Sequence, residues 1–272
     1  MSLNICLRVP DGIVIAADSL ASTMSMLRLS SDARLKAKCP SCKQDIDLEK
    51  IELPPIPAPA TTRSFAQKLF PFFDRRFAVA TYGAGIIASK TVYYHIRELE
   101  QKLKAEKTSL EGVSQAADII GKYFIGLSKP TAPEPPPPPR AFLLGLLIAG
   151  YDGQTAKTIS MKIGTEVTAQ AHEKAGVSFG GDGLVVQGLW QLWKTNRPIF
   201  YGNLSLQDAI DYAEFLIDTT AKFQRFSNAI PSVGGEVDIA LVTVYDGFRW
   251  IKVKRIQHIL EEQHATSHRH DT

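Results

Sequence analysis

The sequence predicts an α+β fold of four layers, with two stacked, mainly antiparallel sheets between two outer layers of helices. Three observations lead there. Apolar, β-rich runs come in three blocks and are bounded by Gly, Asp-Gly and Pro-Asp-Gly turns. Between the blocks, apolar residues recur at helical spacing. Read along the chain, the order is strands, two helices, strands, a helical region and strands again, which supplies two sheets and a helical cover for each.

The first element is a hairpin. Two apolar runs flank Pro10-Asp11-Gly12, a strong turn signal. Antiparallel pairing about that turn brings Ser2 opposite Ser19 and within one residue of Asp18. Phe65 to Phe73 and Arg76 to Tyr82 read as strands, the second running into Tyr82-Gly83-Ala84-Gly85, where the chain must turn sharply. Val92, Ile96, Leu99 and Leu103 mark one helix. After Thr108-Ser109-Leu110-Glu111, which reads as a capping box, Val113, Ala117, Ile120, Phe124 and Leu127 mark a second.

Strand-like runs follow at Ala141 to Ala149, Thr155 to Ile163 and Gly176 to Phe179, separated by Asp152-Gly153 and other short turns. Ser205-Leu206-Gln207-Asp208 is another capping box, opening a helix that turns Ala209, Ile210, Ala213, Leu216, Ile217 and Phe223 toward a core. Val237 to Tyr245 and Phe248 to Val253 complete a hairpin about Asp246-Gly247.

One domain therefore spans residues 1–260, with two insertions. The first covers about residues 30–64, where periodicity fades and a Cys-Pro-Ser-Cys motif and a proline-rich run appear. The second, residues 129–140, is a stiff polyproline connector built on Pro135 to Pro139. Residues 261–272 read as a polar, flexible tail carrying three histidines.

Composition narrows the function classes. A net charge of +3, with Lys and Arg scattered among acids, gives no basic face for nucleic acid. Phe142 to Gly150 is apolar but too short to span a bilayer. Three cysteines and no secretory leader point to a reducing cytoplasm. Cys39 and Cys42 have zinc-knuckle spacing, but a closed zinc site needs four ligands and the insertion offers neither a second pair nor a histidine. They remain weak metal candidates, and no cofactor is expected.

The chemistry gathers at the start of the chain. A small second residue permits removal of Met1, and an α-amine freed on Ser2 titrates near pH ~8, where it can act as base for its own hydroxyl. Amine, hydroxyl and the Asp18 carboxylate converge without any histidine.

Four segments resemble the proteasome β-subunits and their bacterial relatives among the N-terminal nucleophile hydrolases. They are Asp11 to Ser19, Phe77 to Gly85, Leu204 to Ala209 and Ser232 to Leu241, in the family's order. Ser227-Asn228 and Ser232-Val233-Gly234 look most like the divergent bacterial homologues, including the Anbu type. The resemblance implies the N-terminal nucleophile hydrolase fold and amide hydrolysis. In that reading Ser2 is the nucleophile, Asp18 orients and balances Lys68, and the Gly83 amide donates to the oxyanion. Ser22, Thr81 and Gly85 fall where substrate is bound. Arg34, Lys36 and Lys38 compete with Lys68 for its role.

The sequence also departs from that pattern. Leu20 stands where the family commonly has arginine, and the Gly180-Gly181-Asp182-Gly183 turn lacks a serine. An aspartate before the glycine pair is missing, with Ser227, Asn228 and Ser232 the nearest polar residues. The expectation is a self-compartmentalising peptidase subunit that forms homo-oligomeric stacked rings and cuts polypeptides or peptides, with any ATPase or adaptor partner undefined. The alternative is a catalytically silent ring scaffold or binding protein.

Overall fold

The computed structural model describes residues 2–27, 37–38, 41–42, 45–46, 56–127, 144–196, 198–227 and 231–255. Met1, Arg34, Lys36, Cys39, the polyproline connector, Asn228 and the 261–272 tail lie outside the described residues. The chain divides into two compact units, residues 22–62 and the remainder.

In chain order the strands are β1 (Leu3–Val9), β2 (Gly12–Ala17), β3 (Ala21–Leu27), β4 (Ala37–Lys38), β5 (Asp45–Ile46), β6 (Ile56–Arg63), β7 (Leu69–Phe72), β8 (Phe77–Gly83), β9 (Ile86–Ile87) and β10 (Lys90–Thr91). Helices α1 (Val92–Ala105) and α2 (Val113–Leu127) follow, then β11 (Leu144–Asp152), β12 (Thr155–Ile163), β13 (Val167–His172) and β14 (Gly176–Gly181). Helices α3 (Leu184–Asn196) and α4 (Leu206–Phe226) precede the last strands, β15 (Asp238–Thr243) and β16 (Gly247–Lys252). The smaller unit contains the β3–β6 and β4–β5 pairs. The segment expected as an insertion from about residue 30 to 64 falls largely within it.

The larger unit holds two five-stranded antiparallel sheets, ordered β14-β1-β2-β15-β16 and β13-β12-β11-β8-β7. Every residue of β1 and β2 is buried, because each strand is covered on both faces. Leu3, Ile5, Leu7, Val14 and Ala16 point to α4, against Ala209, Ala213, Leu216 and Ile217. Cys6, Ile13, Ile15 and Ala17 point the other way, to Leu69, Ala78, Ala80, Leu147 and Ala149 of the second sheet. The second sheet's outer face packs on α1 and α2 through Phe70, Val79, Ile96, Ile120, Phe124 and Ile148. This is the four-layer αββα sandwich expected from the sequence.

Local signals account for most of the elements. Ser205 and Asp208 form the expected capping box at α4, with Ser205 Oγ accepting the Asp208 N–H at 3.1 Å. The box expected at Thr108 to Glu111 does not form. Instead Asp152, at the end of β11, caps α2 by accepting the Ser114 N–H at 3.1 Å and its hydroxyl at 2.5 Å. Among the longer elements of the larger unit, two escaped the sequence reading. The edge strand β13 is largely exposed and lacks an apolar face, and α3 begins directly after the Gly180 to Gly183 turn. Tyr82 spans the two sheets: a Cβ added at Gly145 or Gly180 would come within 2.1 or 2.2 Å of its ring. Among the described residues no helix is long and apolar enough to cross a membrane.

Candidate active site

The site begins with the register of the first hairpin. Asn4 pairs with Ala17 and Val9 with Gly12, so continuing the ladder sets Ser2 opposite Ser19, as the turn chemistry requires. The Asp18 N–H donates to the Leu3 carbonyl at 3.3 Å. On the other side of β1, Leu3 pairs with Gly181, and the Asp182 N–H donates to the Ser2 carbonyl at 2.7 Å. Gly181 holds φ at +97°, and a Cβ there would lie 1.8 Å from the Ser2 carbonyl oxygen, so only glycine lets the two backbones approach this closely. Ser2 is therefore pinned by its backbone between two strands, and it is buried.

Asp18 is fully buried and saturated with donors. Its Oδ1 accepts the Leu3 N–H at 3.0 Å and the Lys68 ammonium at 2.8 Å. Its Oδ2 accepts the Gly234 N–H at 3.1 Å and the Leu20 N–H at 3.3 Å. Lys68 approaches from the turn of chain before β7 and also donates to the Leu20 carbonyl. The pair is shut away from water, with side chains 8% and 0% exposed. Burial pushes the Asp18 carboxyl above its usual range, opposed by Lys68 and by the Leu3 and Gly234 amides. Burial likewise pushes Lys68 below the usual lysine value, opposed by Asp18 and reinforced by the like charge of Lys254.

Sequence reasoning missed a polar bridge beside Ser2. Asp182 Oδ2 accepts the Ser232 hydroxyl at 2.7 Å and the Gln224 amide at 2.8 Å. Gln224 Oε1 in turn accepts the Ser232 and Val233 N–H groups at 2.8 and 3.0 Å. The signals were an aspartate inside a glycine-rich turn and a serine just before a glycine pair, and nothing in sequence order connects the two. Ser227 lies apart, at the end of α4, where its hydroxyl donates to the Gln224 carbonyl at 3.2 Å.

The remaining residues named from the sequence are distributed as follows. Gly83 ends β8 with φ +90° and is exposed, and the exposed Gly85 accepts the Val92 N–H. Thr81 is buried, and its N–H donates to the Lys68 carbonyl at 2.9 Å. Its hydroxyl, like that of Ser19, has no hydrogen-bond partner among the described residues. Ser22 and Lys38 belong to the smaller unit. Cys42 is exposed, and among the described residues no group of three or more His, Cys, Asp or Glu could hold a metal ion.

Comparison with known proteins puts this geometry in context. No protein-family model matches the sequence. The GPI inositol-deacylase of Aspergillus fumigatus is 30% identical over 181 residues, 57% of this chain, but the chain spans 16% of that protein's length. Two solved structures align along nearly the whole chain. Anbu, the ancestral beta-subunit, from Yersinia bercovieri matches with a TM-score of 0.55 and 12% identity, covering 97% of this chain and 93% of its own. This chain has the Anbu fold. An Anbu mutant from Hyphomicrobium sp. strain MC1 agrees, with TM-score 0.55, 14% identity, and 98% and 94% of the two chains covered. The four-layer fold implied by the ordered segments in the sequence is the one these two structures share.

Proposed function

We propose that this chain is an N-terminal nucleophile peptidase whose nucleophile is the Ser2 hydroxyl, exposed by removal of Met1. The observation that carries the reading is the shared Asp18 Oδ1: the amide following Ser2 and the Lys68 ammonium meet on one buried carboxylate oxygen. That arrangement holds a positive charge beside the N-terminal residue, where it favours the alkoxide that attacks.

In this mechanism the Ser2 hydroxyl proton passes to the terminal amine as Oγ bonds to the substrate carbonyl carbon. The Gly83 N–H stabilises the resulting oxyanion. Breakdown of the tetrahedral intermediate cleaves the C–N bond, the ammonium returns its proton to the leaving amine, and water hydrolyses the seryl ester by the reverse path. Asp182, bonded through its own N–H to the Ser2 carbonyl and steadied by Ser232 and Gln224, is the carboxylate that holds the terminal ammonium between transfers. Thr81 and Ser19, beside Lys68 and Ser2, offer hydroxyls unpartnered among the described residues for substrate or water, and Gly85 completes the binding cleft.

The reading includes assembly into homo-oligomeric stacked rings that enclose polypeptide or peptide substrates in the cytoplasm. Exposed Trp190 and Leu192 on α3, with Phe215 and Phe223 on α4, supply apolar surface for contacts between copies.

Treatment with an electrophilic β-lactone, followed by intact-mass and peptide analysis, tests the proposal. The expected result is one adduct on Ser2 of chains lacking Met1, none in S2A, and labelling at least about 10²-fold slower in K68M. Chains that demonstrably lack Met1 yet take no label would leave the silent ring scaffold as the function.

A further inference from the structure

The far end of β1 from Ser2 carries a buried cation that the chemistry above does not use. Arg8 is 4% exposed and shares the strand face of Cys6, which points at the second sheet. Its Nε donates to the Lys174 carbonyl at 2.9 Å and its Nη1 to the Ser178 hydroxyl at 2.9 Å. Both acceptors are neutral, and among the described residues no carboxylate pairs with this guanidinium. The nearby acids are engaged or uncharged. Glu173, in the turn between β13 and β14, meets Lys157 at 2.9 Å, and burial pushes the Cys6 thiol up, away from the thiolate. A charge taken out of water is normally paired, because a buried ion without its counter-ion is costly. The anion that Arg8 lacks has to come from elsewhere.

The guanidinium is held with one edge clear. Nη2 has no hydrogen-bond partner among the described residues, yet it is not sealed in as the unpartnered Asn4 amide is, so the little exposure that Arg8 keeps includes Nη2. Gly176 stands directly across the ladder from Arg8, and a Cβ there would lie 3.6 Å from Nη2. Glycine thus leaves uncovered a group that a side chain at this position would roof. The opening lies where the edge strands of the two sheets, β13 and β14, are joined through residues 173–175. His172 closes β13 beside it, and burial, followed by the like charge of Arg8, pushes the imidazole below the usual histidine value. The field at this opening is positive, and a planar fork fixed by two hydrogen bonds suits an oxyanion.

We propose that Arg8 anchors an anion site between the edges of the two sheets, which takes a small oxyanion of the phosphate or carboxylate class through Nη2. The bound anion supplies the counter-charge that no described residue provides, and the turn at Lys174 forms the rim. The site lies about 20 Å from Ser2 at the strand rise of ~3.3 Å per residue and does not depend on the peptidase reading.

Phenylglyoxal, which reacts with accessible guanidinium edges, tests this on the wild-type chain and needs no enzymatic activity. In sodium chloride Arg8 should take the reagent, located by peptide mass spectrometry. At the same ionic strength, inorganic phosphate or acetate should slow that reaction at least about fivefold, the protection given by a ligand at about four times its dissociation constant. The exposed Arg225 and Arg249 should keep their rates. Protection by phosphate alone assigns a tetrahedral ligand, and protection by acetate assigns a site that accepts carboxylates.

The second measurement is the calorimetric midpoint. Phosphate or acetate, relative to chloride, should raise the wild-type midpoint more than that of R8Q, with R8K between them, since an ammonium keeps the charge and loses the fork. An Arg8 that takes no reagent while Arg225 and Arg249 do, equal Arg8 rates in all three salts, or an R8Q midpoint that rises as much as the wild type's would overturn the proposal. If R8Q does not fold, the protection measured on the wild-type chain decides alone.

Discussion

Replacing Lys68 with methionine removes an ammonium 2.8 Å from a fully buried carboxylate. At an effective dielectric of ~20 the direct attraction at that distance is about 6 kcal/mol, most of it cancelled by the cost of taking both charges out of water. Removing one partner exposes the other charge's uncompensated burial, at about 3 to 5 kcal/mol. Asp18 keeps the Leu3, Leu20 and Gly234 N–H groups, which sets the expected loss near the lower end, about 3 kcal/mol. At roughly 2–4 °C per kcal/mol for a chain of this size, K68M should melt about 6 to 12 °C below wild type at neutral pH.

D18N/K68M removes both charges and should recover most of that loss. With D18N alone added, the four proteins form a cycle read by differential scanning calorimetry. The pH dependence has a definite sign. In K68M the folded Asp18 carboxyl is raised further above its unfolded value, so the folded state binds the extra proton more tightly and stability falls as pH rises through that window. The deficit should therefore be full at neutral pH and shrink on acidification. Additive single and double losses would refute the view that Asp18 and Lys68 act as one buried unit.

Three further outcomes follow from the packing. Asp152 is held below the usual carboxylate value, since Lys157 and Ser114 outweigh the upward push of burial. Its contribution is present above 3.8 and lost as pH falls through the lower folded value, so D152N should cost about 1 kcal/mol at pH ~7 by urea unfolding, with the difference closing in acid. G180A would drive a methyl into the Tyr82 ring and should cost about 2 kcal/mol in the same assay, with G180A/Y82L recovering part of it. Q224A breaks the bonds to Asp182, Ser232 and Val233 and should lower stability by about 2 to 3 kcal/mol, against about 1 for S232A; equal losses would show that Gln224 is not the hub of that network.

Much of the fold was legible because its signals are local. The Pro10-Asp11-Gly12 turn sets the register that brings Ser2 level with Ser19, and the Ser205–Asp208 box marks the start of α4 within one residue. Apolar, β-rich runs located most strands of the two sheets to within a few residues, because covering β1 and β2 on two faces demands continuous apolar sequence. Strand β13 was invisible for the converse reason: an edge strand facing water needs no apolar face.

What the sequence determined by itself was the hairpin, the Ser205–Asp208 cap of α4, and the residue types available for chemistry. Only the tertiary structure decided that Asp152 caps a helix 38 residues away, that Lys68 reaches the same carboxylate oxygen as the Leu3 amide, and that Asp182, Gln224 and Ser232 form one network. The reason is physical. Turn and period preferences come from the backbone and its immediate neighbours, whereas a buried charge or amide takes whichever partner the stacked layers bring within 3 Å, and that choice has no trace in sequence separation.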